Sequence, residues 1–400
     1  MDERTFSLIV TVSSSIAERS VVRRLRPLSE VIIKDVQRYQ GISVISGIRG
    51  SGKTTLLSKI YKTERNAVFI NSEIVLKQGV SLLDLLHYAY AKRYRVFLID
   101  EIHMIPGWEK DIKIFYDETR SKIMVSGSSA IYLKARGSEL SRRARFHEMK
   151  PLSFREYIYF VSGRLLPKID IKDIVKGNTE KIERMLIPYI NHYQPYVNFD
   201  ALPAAFFEKN PEVYINILER TIRYDLAYLR EIDNYYIDAV YRVIKSVALS
   251  KPSELSYSGL SNNLGISIKL VKEIISSLER AGIVYRVSPY AKGRKSVRKE
   301  DKILMPLSLR SALCSYYGIS PERGSIREDF FVQHTGECFY FKTGKIRRTP
   351  DFVVGDYIFE VGGKSKSYSQ ILGMKNAYLV KEGVNLSGKE RSLYLFGLLY

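Results

Sequence analysis

Cysteine is scarce in this chain of 400 residues: only Cys314 and Cys338 occur, too few for a disulfide framework or a cysteine zinc set, which suits a reducing compartment. Acidic residues are outnumbered, 43 Asp and Glu against 63 Lys and Arg, for a formal charge of +20. That excess favours an anionic partner, nucleic acid or an acidic membrane face. The sequence also lacks a long hydrophobic run. Its amino-terminal apolar stretch, Leu8 to Val12, is too short for a signal peptide or a membrane span, so a cytoplasmic protein with no membrane partner is expected. There is no internal repeat and no low-complexity segment. What is present is ample core material: 45% hydrophobic residues, enough for two or three packed domains.

The most specific stretch is VISGIRGSGKTT, residues 44–55. A short apolar run enters a glycine-rich loop (Gly47, Ile48, Arg49, Gly50, Ser51, Gly52), and Lys53, Thr54 and Thr55 open a helix. This is G-x-x-x-x-G-K-T in strand, loop and helix context. Glycines let backbone N–H groups close around a phosphate chain, and the helix start adds about half a positive charge beneath it. The pattern predicts ATP as ligand, with Lys53 on the β- and γ-phosphates and Thr54 on Mg²⁺. Phosphoryl transfer needs a second half, and the apolar strand Val96–Ile99 ends in Asp100 and Glu101. Asp100 is suited to hold Mg²⁺ and Glu101 to orient or deprotonate the attacking water. The strand over 122–125 ends in a polar tip from which Ser128 can read the γ-phosphate or the water.

Strands alternating with helices over residues 1–150 predict an α/β, P-loop NTPase parallel sheet with an amino-terminal helix, its ligands at the strands' carboxyl ends. Residues 151–234, aromatic and broken by prolines, read as a helical lid on that domain. Residues 235–305 read as a winged helix-turn-helix: a helix, a short helix, a turn at Gly265, a longer helix and two strands flanking a basic wing. Lys269 and Lys272 face outward on the second helix. With Lys292, Arg294, Lys295, Arg298 and Lys299 of the wing they form the expected DNA or other nucleic-acid contact. Residues 306–400 turn to short aromatic strands and form a final α+β domain, with the closing LYLFGLLY expected as a strand.

These motifs resemble prokaryotic, archaeal-like AAA+-type ATPases that carry a G-x-R-x-x-G-K-T loop, a hydrophobic strand ending D-E, a G-S-S tip and a P-L-S-F-x-E segment. Here these are Gly47–Thr54, Phe97–Glu101, Gly127–Ser129 and Pro151–Glu156. The resemblance covers essentially the whole chain. It implies an ATP hydrolase that oligomerises or switches conformation, and a tail with a nuclease-like core. It also implies an arginine finger at Arg143, preceded by Arg142 where the family pattern has glycine, which leaves Arg142, Arg143 and Arg145 as alternatives. In the tail, Glu328, Asp351, Glu360 and Lys364 resemble the PD-(D/E)xK core, whose two carboxylates and lysine serve metal-assisted phosphodiester hydrolysis. Gly362 occupies the usual lysine position and Lys364 lies two residues later, roughly 6.5 Å along an extended strand, so nuclease activity is not expected. A reading of a different class is a nucleotide-gated switch that binds a protein partner, turns over slowly and has no nucleic-acid role.

Overall fold

The computed structural model describes residues 1–22, 24–128, 139–226, 233–252, 255–290, 300–341 and 349–400. They divide into two units, residues 1–150 with 220–231 and 280–282, and residues 151–219, 232–279 and 283–400. Among the described residues, no helix is long and apolar enough to cross a membrane.

In the first unit, helices α1 (Glu3–Arg19) and α2 (Pro27–Arg38) precede β1 (Ile42–Ser46) and α3 (Lys53–Thr63). Then follow β2 (Ala67–Asn71), α4 (Ser72–Lys77), α5 (Leu82–Ala91), β3 (Val96–Asp100), α6 (Trp108–Thr119), β4 (Lys122–Gly127) and β5 (Ala144–Glu148). All five strands run parallel, in the order β2-β3-β4-β1-β5. Parallel neighbours need crossover connections, and the helices that supply them cover both faces of the sheet. Successive strand residues therefore alternate between two apolar layers. Val44, Phe97, Ile99, Ile123 and Val125 pack with Phe6 and Ile9 of α1, whereas Ile45, Leu98 and Met124 pack with Leu56 and Ile60 of α3 and Val36 of α2. Helix α5 is capped by Ser81, whose hydroxyl accepts from the Asp84 N–H. It ends at Ala91, and Arg93 just beyond takes a left-handed backbone conformation.

The second unit opens with α7 (Phe154–Ser162). Ser153 and Glu156 of the P-L-S-F-x-E segment form a reciprocal capping box at its start, which gives that motif a local physical meaning as a helix stop-and-start signal. Short helical pieces follow up to residue 219. Next come α8 (Asn234–Leu249), α9 (Tyr257–Leu264), a left-handed Gly265, α10 (Ile268–Arg280), and an antiparallel pair, β6 (Tyr285–Val287) with β7 (Lys302–Leu304). Lys269 and Lys272 lie exposed on α10, opposite its buried Val271, Ile274, Ile275 and Leu278. The wing residues Lys292, Arg294, Lys295, Arg298 and Lys299 lie outside the described residues. Helices α11 (Leu309–Tyr316) and α12 (Arg323–Thr335) lead to a sheet of β8 (Phe352–Val354), β9 (Tyr357–Gly362), β10 (Ala377–Lys381) and β11 (Glu390–Ser392), closed by α13 (Leu393–Phe396). Strands β8 and β9 pair antiparallel, and the other pairs are parallel.

Three expectations are corrected. Of the helical lid expected over 151–234, residues 151–219 belong to the second unit: Phe154, Ile158, Tyr196 and Phe206 share one apolar cluster with Phe330, Phe331, Phe352, Phe359 and Leu395. Of the short aromatic strands expected over 306–400, one is only Tyr340–Phe341, parallel to Pro289–Tyr290, with residues 342–348 outside the description. LYLFGLLY is helical at its start, because a turn of helix buries Leu393, Leu395 and Phe396 together, with Leu398 buried just beyond it. A strand would send alternate residues to opposite faces. At Gly397 an added Cβ would lie 2.6 Å from Phe154 Cβ and 3.0 Å from Phe330 Cζ. Gly397→Ala is therefore expected to destabilise the second unit by about 1–3 kcal/mol through overpacking. Chemical denaturation checks this, and an unchanged midpoint would show that the site relaxes freely.

Candidate active site

The phosphate loop leaves the carboxyl end of β1, at the middle of the parallel sheet. Gly52 caps α3 with φ +97°, a conformation glycine reaches without the penalty a side chain brings. A Cβ at Gly47 would collide with the Met149 carbonyl. Arg26 fixes the loop from outside, donating to the carbonyls of Ser51 at 2.9 Å and Lys150 at 2.8 Å. Lys53 is buried, and its ammonium donates to the carbonyls of Gly47 at 2.9 Å and Ile48 at 3.2 Å. Burial pushes its pKa down, with Glu101 pulling the other way. Thr55 follows on the first turn of α3, partly exposed.

Strand register brings the second half to this loop. Because β4 lies between β1 and β3, with Ser46 opposite Gly127 and Ile99 opposite Val125, the end of β3 faces the start of α3. The Thr54 hydroxyl donates to Asp100 Oδ2 at 2.8 Å, and the Ser126 hydroxyl donates to Asp100 Oδ1. Asp100 is buried, which raises its pKa, as does neighbouring Glu101. Glu101 follows with φ +54°, sparsely populated for a residue with a side chain. Ser51 and Ser128, both buried, have hydroxyls without a hydrogen-bond partner among the described residues. Orphaned hydroxyls beside a loop of backbone donors fit a phosphate ligand.

Sequence reasoning missed four participants here. Ser126, which carried no sequence assignment, touches Asp100 through strand register. Arg26, His103 and Asp225 carry no motif of their own, although Arg26 is buried beside the loop. Asp225 ends a π-helical turn, Thr221–Asp225, far along the chain, and only the fold brings it to Arg49, 2.9 Å from Nη2. Burial would raise the Asp225 pKa, but the His103 and Arg49 contacts outweigh it and hold the carboxyl low.

Arg143 stands apart. It precedes β5, its carbonyl accepts from the N–H of Ile42 at the start of β1, and its Nε is 2.8 Å from Asp117 Oδ1. This is the amino-terminal edge of the sheet, opposite the phosphate loop. Arg145 pairs with Asp35 at 2.9 Å, and Arg142 is exposed. A finger role for any of them therefore requires a neighbouring copy.

In the second unit the antiparallel β8–β9 pairing aligns Asp351 with Glu360, and the Val361 N–H donates to Asp351 Oδ2 at 2.9 Å. Glu328 of α12 joins them through Lys302, whose Nζ is 2.5 Å from Glu328 Oε2 and 3.6 Å from Asp351 Oδ1. The lysine on Glu360 is Lys366, at 2.6 Å; Lys364, expected there, is exposed. Gly362 explains the exchange. The Lys366 stem lies where a Cβ at 362 would be, 2.5 Å from Cγ, so the glycine lets a later lysine fold back over the strand. Among the described residues no group of three or more acidic, His or Cys side chains is arranged to hold a metal ion.

Residues 39–158, which include the phosphate loop and the Asp100–Glu101 strand end, match the family described as AAA domain. This segment is similar to AAA-type P-loop domains. Residues 202–313 match a domain of unknown function. An uncharacterized protein of Methanocaldococcus jannaschii is 28% identical over 398 residues, 89% of this chain and 83% of that protein. One of Haemophilus influenzae is 23% identical over 269 residues, 62% of each chain. Among solved structures, the S. cerevisiae Hsp104-ADP complex aligns with a TM-score of 0.31 and 16% identity over 66% of this chain and 40% of that one. AMPPCP-bound DnaA from Aquifex aeolicus aligns with a TM-score of 0.26 and 14% identity over 66% and 90%. The AAA domain match ends within α7, so it includes the capping box that opens the second unit.

The acidic cluster sets a pH dependence. Burial, with Asp351 adding to it, pushes Glu328 and Glu360 from 4.5 up to about 7, against the pull of Lys302 and Lys366. A folded-state pKa above the unfolded value means stability that is complete below 4.5 and lost as pH rises through about 7. Glu328→Gln is expected to flatten that decline in thermal midpoint, measured calorimetrically across the window. Curves parallel to the wild type would remove Glu328 as a contributor.

Proposed function

We propose that the chain is a Mg²⁺-dependent ATP hydrolase whose second unit engages nucleic acid. The observation that carries the first half is the 2.8 Å contact between the Thr54 hydroxyl and the Asp100 carboxylate, two Mg²⁺-ligand types joined at the mouth of a phosphate loop. Thr54 and Asp100 would hold the ion, which when bound neutralises charge on the β- and γ-phosphate oxygens. Few protein ligands are needed, since Mg²⁺ in nucleotide sites takes most of its shell from phosphate and water. Lys53 exchanges its loop carbonyls for the phosphates. Glu101 orients or deprotonates the attacking water, and Ser128 lends its unpartnered hydroxyl to the γ-phosphate or that water.

The nucleic-acid half is supported by the charge of +20 and by two helices, a glycine turn and an antiparallel strand pair in the order expected for a winged helix-turn-helix. Lys269 and Lys272 are exposed on α10. The acidic cluster reads as a nuclease-like fold used for binding: Lys302 and Lys366 lie on the carboxylates that a metal ion would need. A protein-interaction switch with slow turnover is the competing reading, and its mark is hydrolysis indifferent to DNA.

Lys53→Ala is expected to lose nucleotide binding, whereas Glu101→Gln binds and hydrolyses roughly 10²–10⁴-fold more slowly, because only water activation is removed. Equal turnover in Glu101→Gln would take that role from Glu101. Duplex DNA is expected to stimulate hydrolysis and to bind with a log-log salt slope of about −0.9 per phosphate contact. Neutralising Lys292, Arg294 and Lys295 should flatten the slope by up to about three units. No stimulation and no binding would favour the protein switch. Mg²⁺-dependent cleavage lost in Asp351→Ala but kept in Lys53→Ala would make the tail a working nuclease.

A further inference from the structure

Glu101, the residue assigned to activate water, is not free to do so in this arrangement. Arg49 Nη1 is 3.7 Å from its Oε1, and His103 Nδ1 is 3.3 Å from its Oε2. A general base needs a lone pair directed at the water, and each carboxylate oxygen of Glu101 instead faces a nitrogen of Arg49 or His103. Both of these donors lead to one further residue. Asp225 receives Arg49 through Nε, at 3.3 Å to each oxygen, and through Nη2 at 2.9 Å. His103 Nε2 lies 3.2 Å from the same Oδ1. The Asp225 and His103 side chains are 1% and 0% exposed, so these contacts are shielded from solvent. Arg49 belongs to the phosphate loop itself, and a buried carboxylate bound to a loop arginine competes directly with an arriving phosphate.

We propose that Asp225 is a positioning residue of this site: through Arg49 and His103 it holds Glu101 idle until the γ-phosphate of a nucleoside triphosphate takes Arg49 from it. This rests on the ATPase reading above. A terminal phosphate offers Arg49 more negative charge than a carboxylate, in geometry suited to the guanidinium fork. Once Arg49 turns to phosphate, Asp225 retains His103, and Glu101, on a left-handed backbone at φ +54°, is released toward water. ADP, with no γ-phosphate, leaves the Arg49–Asp225 pair in place.

The test is calorimetric binding of ADP and of a non-hydrolysable ATP analogue to the full chain, with single-turnover ATP hydrolysis. Asp225→Asn keeps the shape and removes the charge. It is expected to raise analogue affinity relative to ADP about tenfold, within the usual range of coupling between sites, and to speed single-turnover hydrolysis. In an Arg49→Gln background the same substitution should change the ratio by less than about twofold, since the partner through which Asp225 acts is gone. A general loss of structure would lower both affinities together and leave the ratio alone. An unchanged ratio, an equal change in both backgrounds, or slower hydrolysis with affinity retained overturns the clamp while the ATPase reading stands. No nucleotide binding by the wild-type chain overturns both. If Asp225→Asn does not fold, His103→Phe carries the test: faster single turnover at unchanged ADP affinity supports the clamp, and unchanged or slower turnover overturns it.

Discussion

A carboxylate buried at the end of a strand must be held by donors, and Asp100 is held by two hydroxyls. Thr54 comes from the first turn of α3 and Ser126 from the neighbouring strand. Meeting both demands requires β4 to lie between β1 and β3, in register, with the helix after β1 starting directly over the strand tips. The order β2-β3-β4-β1-β5 satisfies this. Desolvation of an unpaired carboxylate is costly, so the same contact that readies a metal position also penalises slippage of the strands that carry it. The contacts among Arg49, His103, Asp225 and Glu101 add a second polar network beside the first. Within the first unit, the candidate site and the packing therefore share polar residues.

The second unit solves a comparable problem differently. Arg310 is buried against Asp329 and also donates to the carbonyls of Val247 at 2.7 Å and Ala248 at 3.0 Å. It thereby closes the end of α8 and joins it to α11 and α12. Such a pair is worth little relative to an apolar replacement, but losing one partner leaves a buried charge uncompensated. Around it the aromatic cluster from Phe154 to Phe396 merges segments that lie far apart in sequence. The acidic cluster at Glu328, Asp351 and Glu360 then depends on Lys302, delivered from β7, and Lys366, delivered over Gly362. Two ammonium groups inside a cluster of three carboxylates make that site a salt-bridge network.

Much of the first unit was legible before any coordinates. The phosphate loop, the D-E strand end and the alternation of strands with helices are local patterns, each tied to its neighbours in sequence by spacing. The same holds for the helix, turn, helix and strand pair between 234 and 304, and for Ser153 and Glu156, a capping box visible as S-x-x-E. Helix ends were less clear, as at Ala91, where a left-handed Arg93 stops a pattern that apolar spacing would have continued. Strands β10 and β11 went unnoticed because short parallel strands in a mixed sheet carry too few residues to show a period.

By itself, the sequence determined the phosphate-loop pattern, the class of the sheet and the expectation of ATP and Mg²⁺ as ligands, because those readings depend on contiguous residues and their spacing. Tertiary structure alone decided which distant groups complete them. Ser126 meets Asp100 through register. Lys366 rather than Lys364 reaches Glu360, because Gly362 lets the chain fold back. Residues 151–219 join the second unit through a core their aromatics could have shared with any apolar surface. Asp225 reaches Arg49 across 176 positions of chain. The physical reason is common to all four: burial and charge compensation act between side chains in space, and a hydrophobic or charged residue does not encode in its neighbours which partner will cover it.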